Sequence, residues 1–233
     1  GEISALDYGN ILHEYMKIVV PKIIEIINYG GNLSEVANAS MNKVLQNEKY
    51  KKFVQNVNNT YLIKGLMQEC ERIAKAVFEE QMHSKFKPRF YEKFFKLENV
   101  IKLKSVNKCV SIVGVIDRVD VYENKFRIID YKTGEDSFNN FNDVASGKKL
   151  QLIVYAAAFE SVNNMQPVGA VYLPLKNKFA ATEDETLYKM QGVLTNEIES
   201  LILMDDGLKN ASYESHSINV KTDAKGNVAS TAS

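Results

Sequence analysis

The stretch GVIDRVDVYENKFRIIDYKTG, residues 114–134, constrains the fold more than any other part of the chain. Two runs rich in Val and Ile, which favour β-strands, flank the polar turn sequence VYENK, and this pattern predicts an antiparallel hairpin. Asp117 and Asp130 interrupt these apolar runs, and Lys132 follows two residues later. Charged groups at the ends of strands that otherwise resemble core indicate a functional site.

The chemistry of these three residues suggests a metal ion. Side chains alternate along a strand, so Asp130 and Lys132 project from the same face, and antiparallel pairing can bring Asp117 alongside Asp130. Two adjacent carboxylates repel, and one stays protonated unless a cation neutralises them. Mg²⁺, for which Mn²⁺ can substitute, prefers such oxygen ligands. Lys132 would then orient a water and stabilise charge in a phosphoryl transition state. The alternative is a surface Asp–Lys pair on an edge hairpin.

The rest of the chain predicts an α/β fold with a mixed central sheet, whose antiparallel hairpin is flanked by helices. Helical apolar spacing precedes Pro88, with Pro21 kinking or dividing the first helix and Ser34 capping a short second one. Leu62, Leu66, Ile73 and Val77 form the apolar stripe of a third helix. The later segments are, in order, three antiparallel strands, a buried helix over 148–162, a strand over 168–175 and a surface helix over 196–208.

We expect one domain over residues 1–211, with a helical part over 1–85 and a catalytic sheet core over 86–211. Residues 212–233 are polar, show no periodic apolar face and predict a loose tail. The first residues, which include no Met, suggest a fragment of a longer protein.

Composition gives weak guidance on partners. The formal net charge is zero, yet residues 85–108 carry eight Lys or Arg residues against two Glu residues. Such a basic strip suits a nucleic-acid backbone or a solvated face equally. Arg118 and Lys148 are candidate phosphate contacts. Cys70 and Cys109 lie far apart, as expected for two buried thiols in a reducing compartment, and no apolar run approaches the roughly 18 residues of a membrane span. We expect a cytoplasmic protein without membrane contact.

The spacing Asp-(twelve residues)-Asp-X-Lys resembles that of the PD-(D/E)XK nuclease superfamily, and GVIDRVD…RIIDYKTG resembles its RecB-like branch. That resemblance implies a restriction-endonuclease-like core. The branch continues with Gln-X-X-X-Tyr on the following helix, supplied here by Gln151 and Tyr155, which share one helix face. It also has Gly-X-X-X-His on an N-terminal helix, supplied here by Gly9 and His13.

The resemblance implies a role for each of these residues. His13, Asp117, Asp130 and the backbone carbonyl of Tyr131 would bind Mg²⁺. Glu92 could approach the metal from a third direction, or form an ion pair with a lysine of its own strand.

The other three residues would act beside the metal. Lys132 would activate the attacking water, while Gln151 and Tyr155 would orient Lys132 or the scissile phosphate.

The segments QPVGAVYLPLKN, YKMQGVL and MDDGL extend the resemblance, from about residue 5 to residue 210, to the nuclease domain found in one of the two subunits, AddB, of AddAB-type helicase–nucleases. This implies a DNA exonuclease that acts on single strands produced with a helicase–nuclease partner subunit, in double-strand break repair and recombination in bacteria. Cysteines flanking that family's nuclease core bind an iron–sulfur cluster. Cys70 and Cys109 do not match those positions, so we expect no cluster in this chain.

Two alternatives remain open. One is a non-catalytic DNA-binding or interaction module of the same fold. The other is a stand-alone exonuclease of the Cas4 type.

Overall fold

The computed structural model describes residues 4–103, 108–133, 148–175 and 188–230. Its helices are α1 (Ala5–Tyr29), α2 (Leu33–Leu45), α3 (Lys51–Gln55), α4 (Thr60–His83), α5 (Lys148–Asn163) and α6 (Ile198–Met204). Its strands are β1 (Lys87–Leu103), β2 (Lys108–Tyr122), β3 (Lys125–Lys132), β4 (Gln166–Pro174), β5 (Gln191–Leu194), β6 (Val220–Thr222) and β7 (Val228–Ser230).

The central sheet has five strands in the order β1-β2-β3-β4-β5. Strand β2 is antiparallel to β1 and β3, β4 is parallel to β3, and β5 is antiparallel to β4. Helix α5 lies in the connection from β3 to β4, because parallel neighbours need a long crossover. A mixed sheet with an antiparallel hairpin and flanking helices is confirmed.

The two faces of the sheet bury different helices. On one face, Ile129 and Tyr131 of β3 share a core with α1 and α4. On the other, Phe126 and Ile128 pack with Phe159 of α5. This alternation along β3 buries both faces, which is typical of a central strand with helices on either side.

Three details of the helices differ from expectation. Helix α1 runs through Pro21 without division. The N-cap of α2 is Asn32, whose side chain accepts from the Glu35 N–H, rather than Ser34. Helix α5 is not buried all round, since Leu150 and Ile153 are exposed.

The expectation of a loose tail is wrong for its described residues, 212–230. Strands β6 and β7 form a hairpin there, and Ile218 and Val220 are buried in the main core. Ile218 also forms a parallel bridge with Met190. Isolated apolar residues dock this segment, so it has no amphipathic period to recognise in the sequence. None of the helices in the described ranges is long and apolar enough to cross a membrane.

Candidate active site

The candidate site lies where β2 and β3 separate. Their pairing runs from Tyr122↔Lys125 to Arg118↔Ile129 and stops there. Asp117 and Asp130 are the next residues on the two strands. The Oδ2 atom of Asp117 accepts a hydrogen bond of 2.7 Å from the backbone N–H of Tyr131. Both carboxylates therefore lie at the mouth of a gap in the sheet.

Asp117 lies at an irregularity of the strand. In a regular strand its two neighbours would share a face, yet Ile116 packs in the core of α5 whereas Arg118 contacts Glu80 of α4. The pairs on β1 either side of this level place Glu92 opposite Asp117, and Glu92 has a left-handed φ of 44°. Both strands thus deviate at the same level, in the manner of a bulge, and this re-aims the Asp117 side chain.

His13 approaches Asp117 from α1. Its Nδ1 atom lies 3.4 Å from Asp117 Oδ1, and its ring contacts Tyr131 edge-on with centroids 5.7 Å apart. Burial lowers the pKa of His13, but the hydrogen bond to Asp117 and the charges of Asp117 and Asp130 outweigh burial and raise the pKa overall. The imidazole therefore lies in a negative field.

Gly9, one turn before His13, allows α1 to come this close. A Cβ at Gly9 would lie 3.1 Å from the Oγ1 of Thr133, just after β3. That separation is tight enough that any larger residue would push the helix or Thr133 aside. The Gly-X-X-X-His spacing thus has a packing cause in this fold.

Asp130 and Lys132 lie on the α5 side of β3. The Nζ atom of Lys132 lies 2.6 Å from Asp130 Oδ2 and 5.0 Å from the ring centroid of Tyr172. Burial and the charge of Asp117 raise the pKa of Asp130, and the Lys132 ammonium opposes them only in part. One lysine therefore does not fully compensate this carboxylate pair.

Gln151 and Tyr155 lie together on α5, four residues apart. The Gln151 side-chain amide donates a hydrogen bond of 2.6 Å to the Tyr155 hydroxyl. Among the described residues no hydrogen bond joins either of them to Lys132. Tyr172 connects the two groups, because burial and then the charges of Asp130 and Tyr155 raise its pKa to about 12.

Glu92 belongs to the same region on the α1 side. Its carboxylate is exposed and forms an ion pair with Lys17 of α1, not with a lysine of its own strand. A small cavity there is lined by His13, Lys17, Tyr91, Glu92, Asp117 and Tyr131. Glu92 is therefore close to the proposed metal ligands, as the approach from a third direction requires.

The prediction that Arg118 contacts DNA is wrong. Its side chain is 1% exposed, and its Nε and Nη2 atoms donate to the two oxygens of Asp120 at 2.6 and 2.7 Å. A guanidinium held in this buried pair cannot reach a phosphate. Lys148 begins α5, and its side chain lies outside the described residues.

A second cluster was missed in the sequence, where only the MDDGL segment hinted at it. Ligand-type atoms of His83, Asp205 and Asp206 lie within 4.8 Å of one another. Asp205 is buried, however, and already accepts from the hydroxyls of Tyr213 and Ser215. His83 and Asp206 form an exposed ion pair. The contacts of this cluster are those of a structural junction between α4 and the C-terminal hairpin.

A mixed sheet that splits between two carboxylates, with a lysine two residues after the second, defines a restriction-endonuclease-like protein. Residues 1–219 match the family model of the PD-(D/E)XK nuclease superfamily. The chain belongs to that superfamily, whose members generally use divalent metal ions.

Similar proteins include the second (AddB-type) subunits of three bacterial ATP-dependent helicase/deoxyribonucleases. The one from Latilactobacillus sakei is 25% identical over 226 residues, covering 87% of this chain and 19% of that protein. The one from Lachnoclostridium phytofermentans is 26% identical, covering 91% and 18%. The one from Clostridium tetani is 26% identical, covering 79% and 18%. The chain thus spans less than a fifth of the length of these relatives.

Proposed function

We propose that this chain is a metal-dependent deoxyribonuclease domain that hydrolyses phosphodiester bonds in DNA. The observation that carries the proposal is the meeting of His13, Asp117, Asp130 and Lys132 where β2 and β3 separate. Two partly or fully buried carboxylates with one lysine and one imidazole leave negative charge that a divalent cation would neutralise.

The donor set fits Mg²⁺, with Mn²⁺ as a substitute that accepts the imidazole more readily. Asp117, Asp130 and His13 would hold the ion. The Lys132 carbonyl accepts from the Leu175 N–H on the β4 side. Carbonyls alternate along a strand, so that of Tyr131 points towards the β2 gap, where it can serve as a further ligand. When bound, the ion supplies Lewis acidity to the phosphoryl oxygen and the attacking water.

The remaining steps belong to side chains of the chain itself. The Lys132 ammonium, held beside Asp130, would orient the attacking water and stabilise the negative charge that develops on the phosphate. The Gln151–Tyr155 pair would orient the scissile phosphate or the Lys132 side chain.

The relatives' names extend the proposal to biology. We propose that the domain works in a helicase–nuclease with a partner subunit, as an exonuclease on single-stranded DNA in break repair and recombination in the bacterial cytoplasm. A non-catalytic DNA-binding module is the competing function.

The test is cleavage of end-labelled single-stranded DNA with and without Mg²⁺. Lys132→Ala should lower the rate by about 100-fold or more, as expected for a group that stabilises the transition state. Lys125→Ala, at the other end of β3, is the matched control and should retain activity. Full cleavage by folded Lys132→Ala would contradict the role of that lysine.

Calorimetric titration with Mn²⁺ separates the two functions. The wild-type chain should bind Mn²⁺, and Asp117→Asn and His13→Ala should bind it more weakly. Absence of Mn²⁺ binding and of cleavage would assign the domain to the non-catalytic class.

A further inference from the structure

Beyond the candidate site, β1 and β2 continue as a two-stranded ribbon. Strand β2 pairs with β3 only from Arg118 onward, whereas its pairing with β1 extends to Leu103↔Lys108. Residues 93–103 and 108–116 therefore project past the sheet at the level of Asp117. We call this segment the ribbon.

One face of the ribbon is covered by α5. Phe95 contacts the Tyr155 ring edge-on, with centroids 5.0 Å apart. Gly114 lies opposite Phe95, and a Cβ there would be 3.1 Å from the Tyr155 ring. This face is therefore packed and closed to a ligand.

The other face of the ribbon is open in the described part of the chain. Phe94 lies directly opposite Val115, and Val113 is the next outward residue on β2. These three side chains are 60%, 45% and 60% exposed, respectively. An aromatic ring and two branched aliphatic side chains thus form an apolar surface that begins two residues, about 7 Å, from Asp117.

Positive charge accompanies this apolar surface. Lys96 pairs with Val113 and is exposed, as is Lys93 next to Phe94. The nearest described carboxylate on β1, Glu92, is already paired with Lys17. An apolar surface with lysines beside it is complementary to a polyanion that carries flat apolar groups.

We propose that the open face of the ribbon binds single-stranded DNA, with Phe94 stacking on a base adjacent to the scissile phosphate. This inference rests on the proposed nuclease function and names a subsite for its substrate. Stacking on aromatic side chains tolerates any base sequence, and lysines track the phosphates. The partner must be single-stranded, because bases within a duplex stack on each other and offer no free face.

The test is the affinity of a fluorescein-labelled twelve-residue oligothymidylate, measured by anisotropy in EDTA so that metal-dependent cleavage cannot occur. Phe94→Ala should weaken binding by about 5- to 100-fold, the effect of removing one stacked base. Phe94→Trp should retain the affinity. The matched control is Tyr29→Ala, an aromatic residue that is 87% exposed and lies about 24 Å along α1 from His13.

An abasic oligomer of the same length separates stacking from phosphate binding. The difference between wild type and Phe94→Ala should disappear on this oligomer. Equal affinities of wild type and Phe94→Ala for oligothymidylate would overturn the subsite, as would an equal loss in Tyr29→Ala or an undiminished difference on the abasic strand.

The wild-type cleavage assay distinguishes the two proposals. If wild type cleaves DNA but Phe94→Ala binds normally, the subsite fails and the nuclease function stands. If Phe94→Ala binds weakly but wild type cannot cleave, the subsite stands and the nuclease function fails.

Discussion

Four charged groups, buried or nearly so, join α4 to the catalytic hairpin, and Asp120 lies at their centre. Asp120 is fully buried and accepts four hydrogen bonds, two from Arg118 at 2.6 and 2.7 Å and two from Arg127 at 3.0 and 2.7 Å. Glu80 of α4 contacts both guanidinium groups. Two carboxylates thus balance two guanidiniums largely out of contact with water.

Asp120→Asn preserves the shape of this side chain but removes its charge. Two guanidiniums would then face Glu80 alone, and the new amide NH₂ would point at a donor. Removing one partner of a buried ion pair costs about 3–5 kcal/mol, because the remaining charge is uncompensated. Domains are stable by only about 5–15 kcal/mol, so this change should remove a large share of the free energy of unfolding.

Urea unfolding at pH 7, followed by circular dichroism, measures this loss. Asp206→Asn is the matched control, because Asp206 pairs with His83 at an exposed position. Its cost should stay below about 1 kcal/mol. A cost below about 1 kcal/mol for Asp120→Asn, with an unchanged urea dependence, would show that the buried charges do not hold the hairpin on α4.

Two further predictions concern the same hairpin. Burial raises the pKa of Asp120, but Arg118 and Arg127 outweigh it and lower the pKa below its ordinary value. The stability from this carboxylate is therefore complete above about pH 4 and lost as the pH falls below it; unfolding curves from pH 7 to 2 should show a smaller loss in Asp120→Asn than in wild type. Gly114→Ala would place a Cβ 2.7 Å from the buried Phe95 ring and should cost about 1–3 kcal/mol, so an unchanged melting temperature would contradict the packing of the ribbon on α5.

The parts of the site that were predictable follow from local periodicity. Asp130 and Lys132 share a face because strand side chains alternate, and Gln151 reaches Tyr155 because helix residues four apart are neighbours. The order of helices and strands followed from the same periods. The sheet order was not predictable in this way, since strand β5 has only four residues and no apolar alternation.

Arg118 shows why periodicity was insufficient. A basic residue next to a catalytic carboxylate suggests a phosphate contact, and nothing local indicates otherwise. Its partner Glu80 lies 38 residues earlier, on a different element. Contacts over such separations depend on how α4 docks on the sheet, which the pattern of a single strand does not contain.

The bulge at Asp117 and Glu92 links the stability of the hairpin to the chemistry we propose. Ile116 is held in the core of α5, while Arg118 is locked to Asp120 on the α4 side. Because its two neighbours are anchored on opposite faces, the Asp117 carboxylate is turned into the gap between β2 and β3. There, the Tyr131 N–H fixes one of its oxygens and His13 approaches the other. The buried ion pair therefore contributes to the placement of the proposed metal ligand without touching the substrate.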